Sequence, residues 1–433
     1  MQPGDREMAL GWRLILASAL GVGFGSVGFA TYAIGAFIDP LGKEFGWSRA
    51  EVQGAIAFGV GLGGFAAPIV GILIDRYGGR SIAIGGLLGV VTGYLMASAV
   101  GGDLWLFYLA YAAVAVLGAG SGPVSWTRAV AARFDRRRGM ALALTLSGTG
   151  MAAIVVPPYA VFLVEHYGWR TGYVGLACLP LVALPLVLLY FFPSGPRSAH
   201  PQAAARTVIA EPGASTGLTL KQAATSYRFW LLLFSILLMY LGITGIVPNL
   251  IPALTDKGFS PTAAATVQSV YGVSLIVARL GIGWLLDRFW GPGVASLVLT
   301  SPVAACLILM GEPGYSAAVV ASALIGAAAG AELDLLAFFT ARYFGIRNYG
   351  RIYGFLYTGV AFGAGLGPVS FAYISDLTGS YAASFQAALV LFAVGGISIL
   401  FLGRYPRFED ERARQPNNGL DSTGSLKAAL EEG

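Results

Sequence analysis

Three ionisable residues in apolar surroundings carry the chemistry that this sequence offers. Arg279 stands in one long apolar run, and Glu332 and Asp334 stand in another. A charge inside an apolar segment is costly unless it is paired, so it marks a functional site by default. The planar guanidinium group binds a carboxylate through two parallel hydrogen bonds, and a carboxyl group shielded from water can hold a proton at neutral pH. The residue types therefore indicate a site for a small organic anion and a proton.

The three residues are expected at a similar depth. Arg279 lies eight positions before Asp287, which is roughly 12 Å along a helix at about 1.5 Å per residue. Counting back from Arg342 places Glu332 and Asp334 roughly 12–15 Å inside the other helix. Residues two apart lie on different helix faces, so at most one acid points into a central cavity. A static salt bridge with Arg279 or Arg128 is the alternative role of the acids.

The elements that hold these residues are apolar segments long enough to cross a bilayer. The chain has 433 residues, of which 56% are hydrophobic and 11% are charged, whereas soluble proteins have about 25% charged residues. The sequence predicts an all-α membrane protein with twelve transmembrane helices, each close to the roughly 20 residues that a hydrocarbon core requires. The predicted spans are 12–38, 50–74, 81–101, 104–128, 140–164, 171–192, 228–252, 263–286, 293–311, 315–341, 351–375 and 381–403.

One pattern occurs in both halves of the chain. A Gly-x-Ser sequence begins at Gly46 and at Gly258, and an Asp-Arg pair begins 29 positions later, at Asp75 and at Asp287. Repeats of whole membrane halves are typical of transporters, in which two similar bundles move about one central site. Two pseudo-symmetric six-helix bundles are therefore expected. The expected domains are the N-terminal half 1–192, a cytoplasmic linker 193–227, the C-terminal half 228–403 and a cytoplasmic tail 404–433.

The basic residues predict the orientation of the chain. Of 27 Lys and Arg residues, 21 fall on the side of the termini and 4 on the opposite side. Cytoplasmic loops are enriched in Lys and Arg, so both termini are expected in the cytoplasm, most simply in a bacterial inner (plasma) membrane. The net charge of +5 follows from this asymmetry and does not indicate a nucleic-acid partner. The four residues expected on the opposite side are Lys43, Arg49, Arg170 and Lys257.

The loops after the second and eighth spans share a motif. They contain Gly71, Asp75, Arg76, Gly78, Gly79 and Arg80 in the first copy, and Gly283, Asp287 and Arg288 in the second. The motif resembles the loop between helices 2 and 3 of the major facilitator superfamily, and the resemblance covers essentially the whole chain. Such a loop implies a latch that breaks when the two halves move; a plain tight turn is the alternative. The residues expected in the latch are Asp75, Arg76, Arg80, Asp287, Arg288 and, in the fourth span, Arg128, for which a second anion contact is the alternative.

Short stretches resemble one branch of this superfamily. The run 133–141 is similar to the Phe-x-x-Arg-Arg-Gly-x-Ala sequence of monocarboxylate transporters and their bacterial relatives, as are 45–48 and 167–170. This branch and the oxalate/formate antiporters carry an arginine at the place of Arg279 in helix 8, where it is taken to bind the substrate carboxylate. The resemblance implies secondary active, proton-coupled transport of a small organic anion by alternating access.

Two departures from these families bear on the substrate. Animal monocarboxylate transporters have an Asp four residues before the arginine, where this chain has Leu275. Oxalate transporters have a lysine in helix 11 after a Tyr-Thr pair, whereas Tyr357-Thr358 is followed here by Gly359-Val360. One cation suits one carboxylate, so a monocarboxylate is expected. The cavity is expected to be lined by Tyr32, Asn249, Gln268, Tyr271, Tyr353 and Tyr357, for each of which ordinary packing is the alternative.

Other classes of function are less well supported by the residues. His166 and His200 are expected in loops, and no cluster has metal-ligand spacing, so no enzyme, metal or cofactor is expected. The main alternative is a proton-antiport efflux pump for apolar drugs or metabolites. Such pumps usually carry a Gly-Pro-x-x-Gly-Gly motif in helix 5, which this chain lacks. A non-transporting membrane sensor is a further alternative. The expected partners are a small carboxylate, protons and the lipid bilayer, and the expected functional unit is a monomer.

Overall fold

The computed structural model describes residues 3–26, 29–134, 137–190, 217–345 and 347–406. Within these described ranges twelve helical spans follow one another, and they are numbered helix 1 to helix 12. Residues 193–216 of the predicted linker 193–227 and residues 407–433 of the predicted tail 404–433 lie outside the described residues.

Several spans consist of more than one helical segment. The first six are helix 1 (Pro3–Gly23, Phe29–Ala33, Ile34–Ala36 and Ile38–Phe45), helix 2 (Arg49–Tyr77), helix 3 (Gly79–Ser98), helix 4 (Leu104–Val116, Gly118–Ser121 and Pro123–Arg133), helix 5 (Arg138–Leu146 and Gly148–Tyr167) and helix 6 (Trp169–Tyr190). The last six are helix 7 (Tyr227–Ile246, Val247–Asn249 and Leu250–Thr255), helix 8 (Pro261–Arg288), helix 9 (Gly291–Met310), helix 10 (Tyr315–Phe344), helix 11 (Tyr349–Thr378) and helix 12 (Ala382–Ser398 and Ile399–Leu402). A short helix, Leu220–Ala224, precedes helix 7.

The spans have the length and composition of membrane helices. Within the described residues, nine helices are long and apolar enough to cross a membrane. The other three spans are helix 2, with 29 residues, and helices 1 and 4, which are interrupted. Large apolar side chains are exposed along the helices, including Leu297 at 75% and Phe362 at 64%. An apolar surface of this extent requires lipid to cover it, so the predicted all-α membrane fold with twelve helices is confirmed.

The repeated Gly-x-Ser sequence builds the same helix start in both halves. Gly46 and Gly258 have φ angles of 73° and 86°, in the left-handed region that favours glycine. The Ser48 side chain then accepts a hydrogen bond from the Glu51 backbone N–H at the start of helix 2. Ser260 caps helix 8 in the same way. Both helix starts lie on the side opposite the termini, which is called the far side.

The two halves meet closely between helices 5 and 8. A Cβ atom added at Gly272 would lie 2.6 Å from the Gly150 carbonyl oxygen, so glycine is needed for this approach. One turn nearer the far side, the Ser269 hydroxyl donates to the Ile154 carbonyl oxygen at 2.7 Å. This glycine-lined interface is the element that places Arg279, seven residues after Gly272.

Candidate functional site

Arg279 crosses from the C-terminal half to the N-terminal half. Its Nη1 atom donates to the Leu146 carbonyl oxygen at 3.0 Å and lies 3.4 Å from the Thr149 hydroxyl. Leu146 ends the first segment of helix 5, before the interruption at Ser147. Within the described part of the chain, the other guanidinium nitrogens have no hydrogen-bond partner and Arg279 forms no ion pair. The half-buried cation therefore keeps donors for an anion at the interface between the halves.

Glu332 faces the interior of the C-terminal half. Its exposed fraction is 3%, and its carboxyl group interacts electrostatically with the hydroxyl groups of Tyr240 in helix 7 and Tyr271 in helix 8. Its Oε1 atom has no hydrogen-bond partner among the residues that are described. A buried polar atom without a partner calls for a specific explanation, such as a proton or a ligand.

Asp334 faces a different environment. It is partly exposed and lies within electrostatic range of Arg279 and of Tyr353 in helix 11. The ion pairs between described residues do not join Arg279 to either acid of helix 10, so the alternative of a static salt bridge to Arg279 is not what the structure shows. The two acids thus differ in burial and in neighbours, as their spacing predicts.

Tyr32 and Tyr271 bring helices 1 and 8 together next to Arg279. Their ring centroids lie 6.1 Å apart, both side chains are buried, and both are within electrostatic range of Arg279. Gln268 is buried beside them, with its Nε2 atom 3.5 Å from the Tyr32 carbonyl oxygen. Its Oε1 atom has no partner within the described ranges. Two of these predicted cavity residues, Tyr32 and Tyr271, therefore lie near the predicted anchor, and Gln268 lies beside Tyr32.

Tyr353 and Tyr357 belong to a row of stacked rings on helix 11. The centroids of Tyr349 and Tyr353 lie 5.7 Å apart, and those of Tyr353 and Tyr357 lie 6.2 Å apart. Tyr353 and Tyr357 are also within electrostatic range of Tyr240. Tyr240 was not predicted as a site residue, because a single tyrosine in the apolar run of helix 7 gives no signal of its own.

Asn249 differs from the other predicted cavity residues because all its hydrogen-bonding atoms are occupied. Its Oδ1 atom accepts from Gln53 Nε2 at 3.2 Å and from the Tyr381 hydroxyl at 3.0 Å. Its Nδ2 atom donates to the carbonyl oxygens of Gly245 at 2.8 Å and Pro368 at 3.2 Å. The bond from Gln53 joins helix 2 to helix 7. Substrate binding by Asn249 stays a prediction, but the side chain already braces the two halves.

A charged cluster closes the two halves on the far side. Arg49 Nη1 and Nη2 bind the two carboxylate oxygens of Asp256 at 2.6 and 2.7 Å. Asp39 lies 3.8 Å from the same guanidinium group, and the Tyr381 ring centroid lies 5.0 Å from it. Next to Arg49, the Ala50 backbone N–H donates to Asp376 Oδ2 at 2.8 Å. The sequence predicts Arg49 on the far side, but no sequence pattern indicates Asp256 of the other half as its partner.

The predicted latch comprises Asp75, Arg76, Arg80, Asp287, Arg288 and Arg128. Arg76 and Arg288 are exposed, each with its guanidinium carbon over an aromatic ring of its own helix, at 5.3 and 4.2 Å from the centroid. Arg80 Nη2 donates to a carbonyl oxygen of helix 6 at 2.8 Å. The side chains of Asp75 and Asp287 lie outside the described part of the structure, and Arg128 is partly buried in helix 4. The latch stays a prediction.

The sequence model of the Major Facilitator Superfamily matches residues 20–331 and 232–430. The chain belongs to the major facilitator superfamily. This membership makes it an integral, multi-pass membrane transporter and not an enzyme. Solved structures of the superfamily share its fold: a D-xylose–proton symporter has a TM-score of 0.68 at 13% identity and covers 92% of this chain and 98% of its own. The transporter FucP in its outward conformation has a TM-score of 0.54 at 16% identity, and the match covers 90% of this chain and 98% of the FucP chain.

Within the superfamily, the chain is similar to proteins named as monocarboxylate transporters and as a gallate transporter. Monocarboxylate transporter 11 of Mus musculus is 28% identical over 428 residues, which cover 92% of this chain and 88% of the relative. Monocarboxylate transporter 13 of Bos taurus is 26% identical over 409 residues, covering 90% and 88%. The gallate transporter of Pseudomonas putida is 25% identical over 415 residues, covering 85% and 88%. The predicted resemblance to monocarboxylate transporters is confirmed.

Proposed function

We propose that this transporter carries small organic monocarboxylates and that Arg279 is the anchor of the carboxylate. The observation that carries the proposal is the half-used guanidinium group, which keeps donors for an anion while it contacts the opposite half. A carboxylate bound there would lie between two bundles that must move relative to each other. The names of the similar proteins, two monocarboxylate transporters and a gallate transporter, support this substrate class.

We further propose that an acid of helix 10 couples transport to protons. A buried carboxylate without a cationic partner costs several kcal/mol, so such a group is better suited to hold a proton. Glu332 has this environment, and its free Oε1 atom supports the assignment. Asp334, near Arg279, would balance the charge of the anchor when substrate has left. Tyr32, Gln268 and Tyr271 would line the site around the anchor.

The overall arrangement of the carrier completes the proposal. The two bundles, 1–192 and 228–403, would move as units joined by the linker 193–227, with the predicted latch on the side of the termini. The 21 basic residues on that side support a cytoplasmic location of both termini, and the membrane would be a bacterial inner membrane. One chain contains both halves and the central site, so a monomer would suffice. Reporter fusions at the C-terminus and after residue 312 would test the orientation, which is refuted if the C-terminal reporter is active only outside the cell.

Uptake into proteoliposomes tests the anchor. Wild-type protein is expected to accumulate labelled lactate or pyruvate when an inward proton gradient is imposed, and to take up oxalate poorly. Arg279→Lys keeps the charge but loses the planar fork, and a lost hydrogen bond to a charged group costs about 1.5–3 kcal/mol. The apparent affinity should therefore fall roughly tenfold to a hundredfold, whereas the far-side control Arg170→Lys should retain it. Unchanged uptake by Arg279→Lys would remove Arg279 from the site.

Two neutral substitutions test the coupling. Glu332→Gln should abolish the dependence of uptake on the proton gradient while exchange of labelled for unlabelled substrate continues. Asp334→Asn should retain the gradient dependence and strengthen carboxylate binding, because it removes the charge that balances Arg279 in the empty site. Coupling that persists in both variants and in their combination would assign the proton to another group. Absence of uptake of any carboxylate by folded protein would favour the efflux alternative, export of apolar compounds.

A further inference from the structure

A row of three tyrosines lies on helix 11, and its middle member interacts electrostatically with Asp334, the acid near Arg279. Tyr349, Tyr353 and Tyr357 form this row, which is called the tyrosine ladder. Successive rings are nearly parallel, with interplanar angles of 19° and 29°. Eight residues of helix separate the first ring from the last, so the ladder extends over roughly 12 Å. It presents a continuous aromatic wall of the length of a small ring-bearing solute.

The ladder faces the inside of the protein and not the lipid. Phe362, with 64% exposure, marks the lipid face of helix 11. It follows Tyr353 by nine residues, about two and a half turns, so the two side chains lie on opposite faces. Tyr353 and Tyr357 are within electrostatic range of Tyr240, and Tyr353 also of Asp334. Tyr357 is nevertheless 42% exposed, so part of its ring is accessible to a ligand.

The chemistry of the wall selects a class of substrate. Aromatic rings attract one another in offset or edge arrangements at centroid distances of about 4.5–7 Å, whereas a three-carbon acid presents no ring. Within the described residues, the hydroxyl groups of Tyr353 and Tyr357 have no hydrogen-bond partner. A phenolic hydroxyl both donates and accepts, so these groups suit a substrate that carries hydroxyl groups on its ring.

We infer that the preferred substrates are hydroxylated aromatic monocarboxylates, with the ring against the tyrosine ladder at Tyr353 and Tyr357 and the carboxylate at Arg279. The inference rests on the proposed function, which supplies the carboxylate anchor. It adds a specificity surface that is separate from that anchor, since the ladder lies on helix 11 and Arg279 on helix 8. Short aliphatic acids would then be weak substrates that use the anchor alone.

Substrate competition in proteoliposomes tests the inference on the full chain. Wild-type protein is expected to take up labelled 4-hydroxybenzoate with a KM at least tenfold below that for lactate. Tyr357→Leu should raise the KM for 4-hydroxybenzoate at least tenfold and change the KM for lactate less than twofold. Tyr357→Phe keeps the ring, so it should retain benzoate uptake and weaken only 4-hydroxybenzoate. The matched control is Tyr373→Leu, on the same helix with 56% exposure, which should change neither KM.

The outcomes separate the inference from the proposed function. Equal KM values for 4-hydroxybenzoate and lactate in the wild type would overturn the inference. An equal effect of Tyr357→Leu on the two KM values would overturn it as well. In either case the proposed function would stand if lactate uptake still required Arg279. Absence of uptake of both acids by folded protein would overturn the two together. Should Tyr357→Leu fail to fold, the benzoate and 4-hydroxybenzoate comparison in Tyr357→Phe decides.

Discussion

The ion pair between Arg49 and Asp256 predicts how firmly the far side is held closed. Asp256→Asn would leave the shape of the side chain but remove its charge and one of two hydrogen bonds, now 2.6 and 2.7 Å long. Charge-assisted bidentate bonds are strong, yet the side chains are 25% and 39% exposed, and solvent weakens such pairs. We therefore expect a loss of about 1–2 kcal/mol, which changes the ratio of closed to open conformations about 5–30-fold.

A distance measurement between the halves would report this shift. Spin labels at Lys43 and Glu312 lie at exposed far-side positions on the N-terminal and C-terminal halves, in a background without the two native cysteines. Asp256→Asn should increase the population with the longer distance. Glu44→Gln is the matched control, because Glu44 forms an ion pair of 2.7 Å with Arg170 on the same side but within one half.

An unchanged distance distribution in Asp256→Asn, or an equal change in Glu44→Gln, would refute the role of the Arg49–Asp256 pair in closing the far side. A double-mutant cycle with Arg49→Gln and Asp256→Asn separates the pair from other effects of each substitution. Additive effects in the cycle would show that the contact does not hold the far side closed.

Three further results are expected. Gly272→Ala forces an added Cβ against helix 5, so transport should fall with normal expression, whereas Gly281→Ala, where a Cβ meets nothing within 4 Å, should transport normally. Asn249→Ala leaves Gln53 without its buried acceptor, and the free energy of unfolding in detergent should fall by about 1–3 kcal/mol. Hydrogen bonds from an indole and a guanidinium group lower the pKa of Glu44. The ionised Glu44 carboxylate therefore stabilises the folded state fully at pH values above its ordinary pKa of about 4.3, and this contribution is lost as the pH falls through the lowered pKa of the folded state. At pH values below about 4, the melting temperature of wild type should therefore fall relative to that of Glu44→Gln.

The structure places the predicted cavity residues in different surroundings, and their role in binding stays a prediction. Tyr32 and Tyr271 lie near Arg279, and Gln268 lies beside Tyr32. Asn249 shows where depth alone is insufficient, since three of its four hydrogen bonds engage Gln53 of helix 2, Pro368 of helix 11 and Tyr381 before helix 12, which only the packed structure brings together.

The twelve spans and the two halves were determined by the sequence itself, which also singled out Arg279 as the predicted anchor. Hydropathy decides the spans because a backbone in lipid must satisfy its own hydrogen bonds within each helix, and a charge in such a span is too costly to be incidental. These are local properties of consecutive residues. The repeated Gly-x-Ser starts are equally local, because a glycine turn and a serine cap act within four residues of each other.

Only the tertiary structure decided which groups meet across the two halves. Arg49 and Asp256 are 207 residues apart, and Arg279 and Leu146 are 133 apart. It also decided which acid of helix 10 is buried and on which side of helix 11 the tyrosine ladder lies. These features depend on how each helix is rotated and how closely it approaches its neighbours. Apolar side chains of many kinds are compatible with several such arrangements, whereas the glycine contacts between helices 5 and 8 fix one of them.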